Sequence, residues 1–186
     1  TVTVAMKLVW SDEFDTPGAP NSNKWGYDIG ASGWGNNESQ YYTDRRDNSY
    51  VTDGTLKIVA KKEAFSSSQY TSARLLSKGK YSFKYGKVEV RAKLPVGVGT
   101  WPAIWMLGDN ISTVSWPACG EIDIMEHVGR DLNKIISAFH YPVYFGGNAK
   151  VATTMVPTAT TEFHVYKLEW TPVSMQIFVD DKLFHT

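Results

Sequence analysis

The segment from Cys119 to Gly129, CGEIDIMEHVG, sets three acids, Glu121, Asp123 and Glu126, among the apolar residues Ile122, Ile124 and Met125. Acids seldom occupy an apolar strand unless they are paired or have work to do. Strand alternation puts Glu121 and Asp123 on one face and would put Glu126, five residues after Glu121, on the other. One extra residue in a β-bulge at 124–126 would return Glu126 to the face of its partners. The two glutamates would then stand an effective four positions apart, roughly 13 Å along the backbone at about 3.3 Å per residue. Their side chains can lean together over Asp123, towards the roughly 5–5.5 Å separation at which one carboxylate serves as nucleophile and the other as acid and then base. The competing reading is a solvated edge strand whose acids alternate without a task.

Aromatic residues supply the other chemistry. They make up 13% of the 186 residues and include seven Trp and ten Tyr. Such rings fill cores, or they stack on ligands with apolar faces, such as sugars. Trp101 and Trp105 lie four apart in TWPAIWM and share a face if that segment is extended. Trp116, in SWPACGE, lies just before Glu121 and is a candidate platform beside the acids. His127 follows Glu126 directly and should face the opposite way. Cys119 is the single cysteine, so no disulfide forms within the chain, and it reads as a small side chain packed beneath the acids.

Nineteen basic and nineteen acidic residues cancel. No field for nucleic acid or an anionic membrane is expected, and polyanionic ligands are disfavoured. No run of 18 apolar residues suggests a membrane-spanning helix. The opening TVTVAMKLVW lacks the basic region and long apolar core of a secretion leader.

Period-two alternation provides the frame that must position these residues. Strands are expected at Thr55–Lys62, Gly86–Leu94, His164–Trp170 and Ser174–Asp181. Segment 132–139 is β-branched and aromatic enough to read as a strand rather than a helix. Turns rich in Gly, Pro, Asn and Asp separate them at 52–54, 94–102 and 141–148. Many short strands with few helices predict an all-β fold, an antiparallel β-sandwich forming a single domain over 1–186. The sequence IFVDDKLFHT reads as a strand, a tight turn at Asp180-Asp181 and a returning strand that stops at Thr186. An open apolar edge there leads us to expect a sandwich incomplete at its C-terminus, either truncated or completed by another chain, segment or swapped partner.

With these segments in hand, the chain resembles the glycoside hydrolase family 16 β-jelly-roll enzymes. GEIDIMEHVG is similar to the family's E-[IL]-D-[IFV]-x-E signature in its longer form. LVWSDEFD, GWGNNESQYYT, SARLLSKGKYSFKYGKVEVRAKLP and GTWPAIWMLG resemble the laminarinase branch, the endo-β-1,3-glucanases. The resemblance implies a concanavalin-like jelly roll and a retaining enzyme acting on internal β-1,3 bonds of a laminarin-like β-glucan. Glu121 would be the nucleophile and Glu126 the acid/base, with Asp123 hydrogen-bonded to Glu121. Trp101 and Trp105 would face the cleft, Asn36 and Arg74 would bind sugar hydroxyls, and His140 would line the leaving-group side. The resemblance also implies a secreted enzyme that requires no cofactor. It further implies a structural calcium held partly by backbone oxygens at Glu13 and Gly54, and C-terminal strands beyond Thr186. An agarase or carrageenase, a mixed-linkage glucanase and a non-catalytic β-glucan-binding module are the alternatives it leaves open.

Overall fold

Residues that alternate apolar and polar form the strands, and residues that tolerate left-handed backbone turn them. The computed structural model describes residues 6–186, which fall into two units, one ending at Ser82 and the other comprising Phe83–Thr186.

The first unit contains short strands. They are β1 (Gly26–Asp28), β2 (Tyr41–Tyr42), β3 (Ser49–Thr52), β4 (Thr55–Ile58), β5 (Lys61–Phe65), β6 (Ser68–Ser72) and β7 (Arg74–Leu76). β3 and β4 form a hairpin whose Asp53 and Gly54 both have positive φ, 51° and 64°, as a tight two-residue turn requires. β1 pairs with β7, and β6 lies between β5 and β2, the latter in parallel. The single strand expected at Thr55–Lys62 is two strands. β4 ends at Ile58 and pairs with β3, whereas β5 begins at Lys61 and pairs with β6. Buried Asn48 explains the break, because its carbonyl accepts the Val59 N–H while its side-chain amide donates to the Val59 carbonyl and to Thr71 Oγ1. Those bonds withdraw Val59 from any ladder.

The second unit is a sandwich of two antiparallel four-stranded sheets. Its strands are β8 (Gly86–Ala92), β9 (Ala103–Leu107), β10 (Glu121–His127), β11 (Lys134–His140), β12 (Lys150–Met155), β13 (His164–Trp170), β14 (Met175–Val179) and β15 (Lys182–His185). One sheet has the order β12-β11-β10-β9 and the other β15-β14-β13-β8. Ile122, Ile124, Met125, Ile135 and Phe139 of the first sheet pack against Tyr166, Leu168, Ile177 and Val179 of the second. All nine are buried, the arrangement expected where the inner faces of two sheets form one core. Asp180 and Asp181, with φ of 47° and 64°, turn β14 into β15. Segment 132–139 contributes most of strand β11, as its β-branched residues predict.

Candidate active site

The central question is which way Glu126 points, and the register answers it from both sides. Across β9, Glu121 opposes Leu107, Asp123 opposes Trp105 and Glu126 opposes Ala103. Across β11, the same acids oppose His140, Ala138 and Ile136. Each partner set runs in steps of two and therefore occupies one face of its strand. The three acids accordingly share a face, the one turned away from Ile122, Ile124 and the core. The ladder shifts between Asp123 and Glu126 on one side and between Asp123 and Met125 on the other. This is the bulge that the spacing predicts. His127 falls on the inner face and is fully buried, with neither ring nitrogen hydrogen-bonded.

Asp123 is only 4% exposed. Burial, the negative charges of Glu121 and Glu126, and a hydrogen bond to Glu121 push its carboxyl far above the usual aspartate range. A protonated Asp123 can donate to Glu121. His140 approaches from β11 and places Nε2 3.0 Å from Asp123 Oδ2. Its Nδ1 accepts the backbone N–H of Gly146 at 3.1 Å, so the ring proton resides on Nε2 and is donated to Asp123.

Glu126 accepts a hydrogen bond from the Trp101 indole at 2.8 Å. Burial raises its carboxyl above the ordinary glutamate range, the Trp101 bond draws it down, and the charge of Glu121 raises it again. Trp101 lies just before β9 on the loop from Leu94, and Gly129 packs against that loop. A Cβ on Gly129 would stand 1.9 Å from the Gly97 carbonyl oxygen. Trp105 faces Asp123 across the β9–β10 ladder. Trp116 is exposed and packs 5.8 Å from the His140 ring and 5.4 Å, edge to face, from Phe145.

The second unit thus gathers Glu121, Asp123, Glu126, Trp101, Trp105, Trp116 and His140 around one strand. Asn36 and Arg74 belong to the first unit. There Asn36 donates to Glu38 at 3.3 Å, and Arg74 pairs with Asp28 at 3.0 Å beneath the Trp34 ring. Tyr42 donates to the other oxygen of Glu38 at 2.8 Å, so Trp34, Glu38 and Tyr42 join the two expected residues in a polar and aromatic cluster.

Glu13 lines a polar cavity with Asp12, Asp15 and Lys24, while Gly54 occupies the β3–β4 turn. Asp12 is already engaged by Lys24 at 3.5 Å and by the Trp25 indole at 2.8 Å. Calcium takes six to eight oxygen ligands. Through their backbone oxygens Glu13 and Gly54 would supply two ligands of that number.

Sequence reasoning passed over Phe145 and Gly146. Both lie in the loop after His140, where YPVYFGGN carries only a turn signal. An aromatic beside a Gly pair, directly after a candidate site histidine, was the available clue.

A family model described as "Glycosyl hydrolases family 16" matches residues 36–186. A beta-glucanase of Rhodothermus marinus is 50% identical over 184 residues, which are 96% of this chain and 64% of that protein. A glucan endo-1,3-beta-glucosidase of Cryptopygus antarcticus is 37% identical, with 98% and 69% of the two chains covered. The solved laminarinase of Rhodothermus marinus superposes with a TM-score of 0.95 at 49% identity, over 97% of this chain and 74% of that one. The chain therefore spans somewhat under two thirds of the length of the Rhodothermus beta-glucanase.

Proposed function

The chain belongs to glycosyl hydrolase family 16, and from that premise we propose that it is a retaining endo-glycosidase cleaving internal β-1,3 bonds of a laminarin-like β-glucan. The observation that carries this reading is the bulge that sets Glu121 and Glu126 on one face with buried Asp123 between them.

In the first step Glu121 attacks the anomeric carbon, and the glycosidic bond breaks as Glu126 gives its proton to the departing oxygen. A glycosyl ester on Glu121 results. Glu126, now ionised, takes a proton from water as that water attacks the same carbon and frees Glu121. Two inversions give net retention. The acid must hold a proton when substrate arrives, and its burial favours this. Asp123 donates to Glu121 and holds its rotamer, and His140 orients Asp123 through Nε2. Double displacement by two carboxylates needs no cofactor. Trp105 and Trp116 of the second unit offer ring faces to the sugars. Within the first unit, Asn36 and Arg74 carry polar groups of the kind that read sugar hydroxyls. A polymeric substrate of this kind is met outside the cell, and we assign the protein to a secreted role.

Laminarin, lichenan and agarose separate the readings in one reducing-sugar assay. Release from laminarin above the other two is expected, with the β-anomer appearing first by NMR. Preference for agarose or lichenan would reassign the substrate, and no release from any would indicate a glucan-binding module. Replacing Glu121 by Gln should abolish turnover while leaving glucan binding intact.

A further inference from the structure

A bulge in a buried strand strands a backbone group, because the residue that gains no partner leaves part of the ladder unmade. Leaving a buried carbonyl without a donor is costly, so a carbonyl beside such an irregularity is held by whatever donor the packing supplies. Here Ile124 has no partner in either ladder, and Asp123 is the last paired residue before the shift on both sides. A side chain from β11 bonds the Asp123 carbonyl at that point. Ser137, fully buried on β11, gives its hydroxyl proton to Asp123 O at 2.8 Å.

Ser137 lies between Ile136 and Ala138, the partners of Glu126 and Asp123, and so spans the bulge. Its side chain is on the inner face with Ile135 and Phe139, opposite to the acids. A second residue holds it there. His185, on β15 of the opposite sheet, places Nδ1 2.9 Å from Ser137 Oγ and stacks on Phe139 with ring centroids 4.2 Å apart. A carbonyl only accepts, so the single hydroxyl proton is committed to Asp123, and His185 must carry its proton on Nδ1 and donate. Both side chains are at most 7% exposed. A chain of two hydrogen bonds therefore runs from the second sheet, through the core, to the bulge.

We propose that Ser137 and His185 are positioning residues that hold the β10 bulge and thereby aim Glu126 at the leaving group. This inference rests on the enzymatic reading above. Neither residue touches substrate, since both act from the core side of the sheet. Without the hydroxyl, the Asp123 carbonyl seeks another donor and the bulge relaxes towards regular alternation, which turns Glu126 away from Glu121. A carboxyl misplaced by about 1 Å costs up to roughly 100-fold in rate.

The test compares two leaving groups in the full-length protein. Dinitrophenolate departs without protonation, so its release burst from an aryl β-laminaribioside reports attack by Glu121 without the acid. Ser137→Ala should lower kcat on laminarin by about 10–100-fold with KM within about twofold. The same variant should slow the dinitrophenolate burst by less than about threefold. His185→Phe, which keeps the stack on Phe139 and removes the donor, should show the same split to a smaller degree, and it carries the test if Ser137→Ala does not fold. Ser137→Thr, which restores a hydroxyl, should recover much of the laminarin rate. Equal losses on both substrates, or wild-type rates in both variants, would overturn the proposal while leaving the enzyme assignment intact. A wild-type protein inactive on both substrates would overturn the enzyme assignment and this proposal with it.

Discussion

The indole N–H of Trp101 is bonded to Glu126 Oε1 at 2.8 Å, although the two residues are 25 positions apart. By spacing alone Trp101 reads as a sugar platform. Its hydrogen bond gives it a second task, because an N–H donor favours the ionised carboxylate and opposes the upward push of burial.

Replacing Trp101 by Phe keeps a ring and removes that donor. The Glu126 pKa should rise, since the bond stabilises only the charged form. The basic limb of kcat/KM against pH, which reports loss of the acid's proton in the free enzyme, should then move to higher pH. A limb that stays in place or moves down would contradict this role.

Asp123 should work as a neutral acid. Asparagine also offers an N–H donor to Glu121 and an oxygen to His140, so Asp123→Asn should cost about tenfold in kcat, and Asp123→Ala about a hundredfold or more. Steady-state kinetics on laminarin would compare them. Stability provides an independent check. The folded pKa of Asp123 is raised, so its stabilising contribution is complete below the unfolded value of about 3.9 and is lost as pH rises towards the folded value. Thermal melts should therefore show Asp123→Asn gaining on the wild type with increasing pH. A constant difference across that range would mean that Asp123 is ionised in the fold.

Gly129 packs where no side chain fits. A Cβ there would lie 1.9 Å from the Gly97 oxygen and 2.4 Å from Thr100 Oγ1, and its N–H already donates to Thr100 O at 2.9 Å. Gly129→Ala must displace the loop that leads into Trp101. We expect a loss of about 2 kcal/mol in denaturant melts, together with a basic limb shifted in the same direction as in Trp101→Phe. Gly54→Ala serves as the control. Its Cβ meets nothing within 4 Å but its φ is 64°, so it should cost stability without moving the limb.

Local pattern determined much of this protein. Period-two alternation sufficed for the strand at His164–Trp170 and for Met175–Val179 within the expected Ser174–Asp181, because side-chain direction along a strand depends only on residue number, and the Asp pair marked the turn that ends the second at Val179. The same rule, broken at Glu126, was enough to predict the bulge. It could not show that Thr55–Lys62 divides in two, because the break comes from the bonds that Asn48, 11 residues away, makes to Val59. Nor could it show that Trp101 reaches Glu126, that Gly146 sets the proton of His140, or that Ser137 and His185 hold the bulge from the core. Those partners lie 6 to 48 residues apart. Alternation says which face a side chain occupies. Only the packing of β9, β11 and β15 around β10 decides which groups meet there, and the upward push on the Asp123 and Glu126 carboxyls follows from the burial and charge that this packing creates.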